Sequence, residues 1–248
     1  IAVVPDASPS EEFAAEELQV HLAEMSGATL KIEKTASPPA RAIVLGMAAE
    51  KVDPSLGDDG YVIRTEGSRL FISGGKKRGT LYGVYTFLES LGVRWWTPAE
   101  KYVPKKKTVS VSSLNIREVP KLQYRDIMYQ FVFSPEGQLW CCRNKLNGMA
   151  WSDAPEKYGG RYEFVGNLVH GSHQTIARAG ISITPEMQAL VGGRRTSAQL
   201  CMSGQASIDA MVKGVLASYQ QNPNARFVVI GQQDNNNYCQ CETCAAID

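Results

Sequence analysis

Residues 226–244 read RFVVIGQQDNNNYCQCETC. The stretch opens as a short apolar run, Phe227, Val228, Val229 and Ile230, and ends in a burst of amides around one acid, Asp234. A short β-rich run closed by turn residues reads as a buried strand. In α/β proteins, functional groups collect just past the carboxyl ends of such strands. Asp234 holds that position, which is the pattern of a sugar-handling or acid/base site. The alternative is an Asn-rich turn with a capping Asp.

Working outward, residues 198–202 read as the preceding strand. Ile208, Met211, Val212, Val215 and Tyr219 form a helical stripe between the two. Residues 153–196 read as a long excursion carrying His170 and His173, with a short helix opening at Thr184 and Pro185; loops of that length are usually functional. Residues 124–129 and 148–151 are expected to be strands. Residues 136–146 are expected to be a helix with Leu139, Cys142 and Leu146 turned inward.

The first half alternates differently. Residues 2–4 suggest a strand. Ser8, Pro9 and Glu11 then make a helix start, with Ser8 as cap and Glu11 closing a capping box. Ala14, Leu18, Leu22 and Met25 share one face, and Gly27 ends the helix. Strands are expected at 30–33 and 42–45, and a hairpin at 61–65 and 69–73. Residues 74–98, GGKKRGTLYGVYTFLESLGVRWWTP, carry a second stripe of Leu81, Val84, Tyr85, Leu88 and Leu91 with a stop at Gly92. The strand at 93–96 should send Trp95 and Trp96 to opposite faces. A strand over 109–116 closes this half, and Pro120 marks a linker.

The segment from Arg78 to Pro98, followed by Val103 and Pro104, resembles the N-terminal domain of family 20 β-hexosaminidases and family 67 α-glucuronidases. The second half resembles a group of bacterial proteins of unknown function inferred to be glycan-active. The shared features are Arg143-Asn144-Lys145-x-Asn147, a loop with His170 and His173, Leu200-Cys201, and Asp234 followed by Cys239, Cys241 and Cys244. The resemblance implies an α+β N-terminal domain at 1–117 followed by a TIM-barrel-type α/β domain from 121. Residues 121–248 are only about half of the roughly 250 residues a (β/α)8 barrel needs. Half a barrel leaves open sheet edges, so a longer parent chain is expected, with a second catalytic carboxylate beyond residue 248.

The resemblance also implies a glycoside hydrolase, whose chemistry generally uses two carboxyl groups. Asp234 is the general-acid candidate. Family 20 enzymes carry an Asp-Glu pair at this point, whereas Asn235 follows Asp234 here and cannot donate as an acid. His170, His173, Asn235, Arg143, Asn144 and Trp151 are candidate sugar ligands. The histidines can instead bond backbone, and Arg143 can pair with a buried acid. The competing function is a non-catalytic carbohydrate-binding or scaffold protein.

No cofactor is expected. Cys239, Cys241 and Cys244 have zinc-like spacing, and Cys201 can supply a fourth thiolate. No second CxxC pair exists, so packing or disulfides are the expected use of these residues. A net charge of +1 argues against nucleic-acid and anionic-membrane partners. No apolar run reaches the roughly 20 residues of a membrane helix. A carbohydrate is the partner that the resemblance implies. The strand-like start suggests a mature exported protein, periplasmic or extracellular, with its signal peptide removed.

Overall fold

The computed structural model describes residues 1–46, 51–148, 154–165 and 169–247. It comprises two compact units, Ile1–Arg161 and Tyr162–Asp248, and is mixed α/β. In chain order the first unit runs β1 (Ala2–Val3), α1 (Pro9–Ser26), β2 (Glu33–Lys34), β3 (Ala42–Leu45), β4 (Tyr61–Glu66), β5 (Arg69–Gly74), α2 (Gly79–Ser90), β6 (Arg94–Trp95), β7 (Lys101–Tyr102), β8 (Asn115–Glu118) and α3 (Pro135–Arg143).

α1 starts where its sequence says it should. The Glu11 carboxylate accepts the Ser8 N–H at 2.9 Å, the Ser8 hydroxyl accepts the Glu11 N–H at 3.4 Å, and Gly27 closes the helix at φ +80°. Ala14, Leu18, Leu22 and Met25 are buried, as are Leu81, Val84, Tyr85 and Leu88 of α2, and α1 packs on α2. A buried Leu of this kind contributes about 1.5–3 kcal/mol. Gly79 opens α2 where a Cβ would stand 2.2 Å from the Gly60 carbonyl, so only glycine fits.

The sheet beneath has the order β2-β1-β3-β5-β4-β8. β2, β1, β3 and β5 run parallel, β4 pairs antiparallel with β5, and β8 pairs antiparallel with β4. Trp95 is buried and Trp96 is 63% exposed, on opposite faces as the strand period requires. The closing strand is shorter and later than the run at 109–116. β8 begins at Asn115, and before it Leu114 is held to Thr65 by backbone and side-chain bonds.

His21, fully buried in α1, makes this unit sensitive to acid. Its Nδ1–H donates to the Glu17 carbonyl at 2.7 Å, and its Nε2 accepts the Trp95 indole N–H at 3.2 Å. The ring is therefore neutral, and burial holds its pKa below the usual 6.5. The unfolded chain binds the proton first, so stability falls as pH drops below about 6.5, by at most about 1.4 kcal/mol per pH unit from one site. Urea unfolding at pH 7.5 and 5.5 should reveal this slope in the wild type, and His21→Gln should flatten it. An unchanged slope in H21Q would remove His21 as the cause.

Residues 124–129 do not form the expected strand. Their ladder partners are replaced by side chains: Asn147 Oδ1 accepts the Arg125 N–H at 2.8 Å, and Asp126 Oδ1 accepts the Ile127 N–H at 2.8 Å. The Arg125 carbonyl takes the backbone N–H groups of Asn147 and Gly148. α3 is shorter than predicted, with Cys142 fully buried and Leu139 and Leu146 partly so, all against the first unit's core. The first compact unit extends to Arg161. The strand expected at 148–151 lies beyond Gly148 outside the described residues.

The second unit contains β9 (Phe164–Val165), α4 (Ser172–Arg178), β10 (Gln188–Val191), β11 (Arg194–Leu200), α5 (Gln205–Gln221), β12 (Phe227–Val228) and α6 (Glu242–Ala245). β9 and β12 pair in parallel, with Phe164 opposite Phe227 and their rings 5.3 Å apart. β10 and β11 form an antiparallel hairpin across Gly192 and Gly193, both at positive φ. Two expectations are corrected here. The run at 153–196 is not one loop, and the strand ending at Leu200 is half of a hairpin rather than a parallel barrel strand.

A third correction concerns α5. Ser207, Ala210, Met211, Gly214 and Ser218 face inward, while Ile208, Val212 and Leu216 are exposed. The cause is a close approach of α4. A Cβ on Gly214 would sit 2.1 Å from the Thr175 carbonyl, so small residues win the buried face. Of the predicted stripe, only Met211 is buried.

Candidate functional site

β12 delivers the polar stretch that follows it to a loop braced by the second unit itself. Gln199, almost fully buried near the end of β11, pairs its side-chain amide with the backbone of Gln233. Its Nε2 donates to the Gln233 carbonyl at 2.5 Å, and its Oε1 accepts the Gln233 N–H at 3.1 Å. The Gln233 side chain in turn donates to the His170 carbonyl and to His173 Nδ1, each at 2.9 Å. Asn235 fixes the next turn. Its Nδ2 donates to the Ala198 carbonyl at 3.0 Å, and its Oδ1 accepts the backbone and side-chain N–H groups of Asn237.

These braces leave Asp234 at the rim, with its side chain 88% exposed. Its carboxylate lies 3.9 Å from His170 Nε2. His170 Nδ1–H donates to the Gln232 carbonyl at 3.1 Å, which leaves Nε2 facing the carboxylate. The His170 backbone is left-handed at φ +51°, a conformation uncommon for a side chain of this size and one that collects at functional sites. The Ser172 N–H bonds the Gly231 carbonyl at 3.0 Å and holds that turn against β12's exit. Gln199, Met202, Gln232, Tyr238, Cys239 and Cys244 line a hollow of about 150 Å³. Tyr238 is 49% exposed, and an aromatic with one free face beside amides suits a sugar ring.

The predicted residues divide between the two units. Asp234, His170, His173 and Asn235 gather in the second. His173 stands in α4 rather than in a loop. Its Nε2–H donates to the Ser197 carbonyl at 2.8 Å while Nδ1 accepts from Gln233, so both ring nitrogens are engaged in bracing. Arg143 and Asn144 lie in the first unit. Arg143 forks onto Glu17 at 2.8 and 2.9 Å and lies over the Trp95 ring, and Asn144 donates to the Trp140 and Trp95 carbonyls. Asn147 is fully buried on Asp59. Trp151 lies outside the described residues. The sequence did not single out Gln199 or Tyr238, although Tyr238 had a signal as the lone aromatic in an amide run.

The cysteines form a second group. Cys201 follows β11, and Cys239, Cys241 and Cys244 lie on the segment leading into α6; all four sulfurs fall within 4.8 Å of one another. Cys201 Sγ is 3.7 Å from Cys241 Sγ and 4.0 Å from Cys244 Sγ. The Leu190 N–H donates to Cys239 Sγ at 3.3 Å, and the Ser203 hydroxyl lies 3.0 Å from Cys244 Sγ. Cys239 and Cys241 are electrostatically unequal. The Cys244 backbone N–H on Cys241 draws that thiol down to about 6, while burial pushes Cys239 up to about 11.

Comparison with known proteins divides the chain earlier than the two compact units do, between residues 87 and 95. Residues 1–87 match the family described as Glycosyl hydrolase family 67 N-terminus. Residues 95–248 match the family described as Domain of unknown function (DUF4838). No curated protein sequence matches the chain. Among solved structures, the chain shares its fold with a family GH115 4-O-methyl-alpha-glucuronidase with specificity for decorated arabinogalactans. That match has a TM-score of 0.55 at 14% identity, over 89% of this chain and 40% of that one. A GH138 enzyme targeting pectin rhamnogalacturonan II matches at TM-score 0.44 and 14% identity, over 94% of this chain and 31% of that one. The Streptomyces plicatus N-acetyl-beta-hexosaminidase matches at TM-score 0.41 and 14% identity, over 99% of this chain and 50% of that one. The chain thus spans half or less of the length of these enzymes. Because the DUF4838 match covers more than half of the sequence and contains both the Asp234 loop and the four cysteines, the chain belongs to that family, with an N-terminal segment of the glycosyl hydrolase family 67 type ahead of it.

Proposed function

We propose that this chain is part of an exported glycoside hydrolase in which Asp234 acts as general acid on a uronic-acid- or hexosamine-containing glycan. The observation that carries this reading is the Asp234–His170 pair, 3.9 Å apart, on turns that follow two parallel strands. The ends of parallel strands are where α/β enzymes assemble catalytic groups, so the parallel pairing of β9 and β12 supports a barrel-type origin for this unit. Asp234 is held by its neighbours' backbone bonds and not by a cation of its own loop, so its carboxyl is available to a substrate oxygen. His170 Nε2 can orient it, and Tyr238 with Gln232 can bind the sugar.

The family 67 type N-terminal segment and the shared fold with an α-glucuronidase favour a carbohydrate substrate. No helix among the described residues is long and apolar enough to cross a membrane.

A second reading keeps the sugar and drops the chemistry. Asn235 follows Asp234, and its amide is spent on Ala198 and Asn237, so the loop offers one acid and several amides. That is also the composition of a binding site.

Both readings require sugar at this loop. Hydrogen–deuterium exchange with oligosaccharides containing glucuronic acid or N-acetylhexosamine should slow exchange at residues 170–173 and 232–238, and leave α1 and α2 unchanged. Protection elsewhere only, with these two segments unaffected by every sugar, would refute the site.

A further inference from the structure

We propose that Cys201, Cys239, Cys241 and Cys244 form a tetrahedral zinc site that staples the β10–β11 hairpin to the segment after Asp234. Four cysteines from two distant parts of the chain converge on one point. Tetrahedral Zn–S bonds of about 2.3 Å place sulfurs about 3.8 Å apart, and the Cys201 sulfur lies 3.7 and 4.0 Å from those of Cys241 and Cys244. A disulfide pairs two sulfurs at about 2.0 Å and gives no reason for a third and fourth to gather around them.

The surroundings are those of a metal knuckle. The Leu190 N–H donates to the Cys239 sulfur at 3.3 Å, as an outer partner of a bound thiolate does. The segment is also prepositioned without the ion. The Gln240 N–H bonds the Leu190 carbonyl at 2.7 Å, and Gln240 Oε1 accepts the Gly192 N–H at 2.8 Å. Cys201 and Cys239 are buried, and Cys241 and Cys244 lie partly open, which gives the ion a path in.

Such a site is closed by four protein ligands and has no open position for a substrate, so its role is structural. It would fix Cys201 two residues from Gln199, the residue whose amide pair holds Gln233 beside Asp234. The chain closed between Gln199 and Cys239 is then anchored at both ends, independently of whether the loop hydrolyses or only binds sugar.

The test uses the protein purified under reducing conditions. Elemental analysis should find roughly one zinc per chain. Exchange with Co2+ should give the intense red-region bands and sulfur-to-cobalt charge transfer of tetrahedral thiolate coordination. Cys201→Ser and Cys241→Ser should each lose those bands or shift them to a three-sulfur pattern, while Cys141→Ala, in the first unit, should keep them. Because a variant can misfold, the wild-type cobalt spectrum is decisive alone. Absence of thiolate bands in fully reduced wild type would overturn the proposal, as would mass spectrometry finding these cysteines paired as disulfides in protein that takes up no metal.

Discussion

Asp59→Ala should destabilise the first unit by about 3–5 kcal/mol, the cost of removing one partner of a buried ion pair. Asp59 is the hub of a buried network. It accepts from Arg78 Nε at 2.6 Å, Arg125 Nη2 at 2.7 Å and Asn147 Nδ2 at 2.6 Å. Arg78 is fully buried and also donates to the Gly159 and Gly160 carbonyls. Without Asp59 the Arg78 guanidinium keeps its desolvation cost and loses its 2.6 Å contact to that carboxylate. On a chain of this size the loss corresponds to a fall of roughly 10 °C in the first unit's melting temperature. Arg64 and Glu66 pair at the surface, about half exposed; Glu66→Ala should leave the midpoint almost unmoved, because water screens such pairs. Calorimetry on the three proteins checks both. A D59A midpoint close to wild type would mean that the network is not the lock on residues 124–148.

That network also explains why the resemblance between motifs and function was only partly legible. Arg78, Arg143 and Asn147 fall in the segments that resemble glycan-active proteins, yet their polar heads are taken by Asp59 and Glu17 inside the first unit. Sequence shows that a polar residue is present. It does not show whether its partner is a substrate or a carboxylate many positions away.

Local signals carried further. The capping box at Ser8 and Glu11, the stop at Gly27, the stripe of α2 and the opposite faces of Trp95 and Trp96 depend on short-range chemistry, and each is realised. The Gly192–Gly193 hairpin turn was equally readable, although the expectation of one long loop at 153–196 passes over it. The inward face of α5 was not readable, because Gly214 is selected by the Thr175 carbonyl of a neighbouring helix. At the site, the position of Asp234 follows from the apolar run before it. The Gln199–Gln233 amide pair does not, because its two halves are separated by α5 and β12.

The second large effect concerns Asp234. A general acid lowers the barrier by protonating the departing oxygen, and such a group is commonly worth about 10²- to 10⁴-fold in rate. Asn is nearly isosteric with Asp, can still hydrogen-bond sugar, and has no acid proton to give. Asp234 is highly exposed and sits beyond the loop's own braces, so Asp234→Asn should leave the second unit's stability and its sugar affinity almost unchanged while removing that factor from turnover. Asn235→Ala is the contrasting case. It strips the bonds to Ala198 and Asn237, so it should loosen the loop and weaken binding and turnover together.

The measurement that bears most directly on a catalytic Asp234 is the release of new reducing ends from a panel of uronic-acid- and hexosamine-containing oligosaccharides, followed for the wild type and D234N side by side with binding measured in parallel. The expected result is release by the wild type, a fall of at least about 100-fold in D234N, and matched affinities. Sugar binding without release by the wild type, or equal release by both proteins, would contradict it.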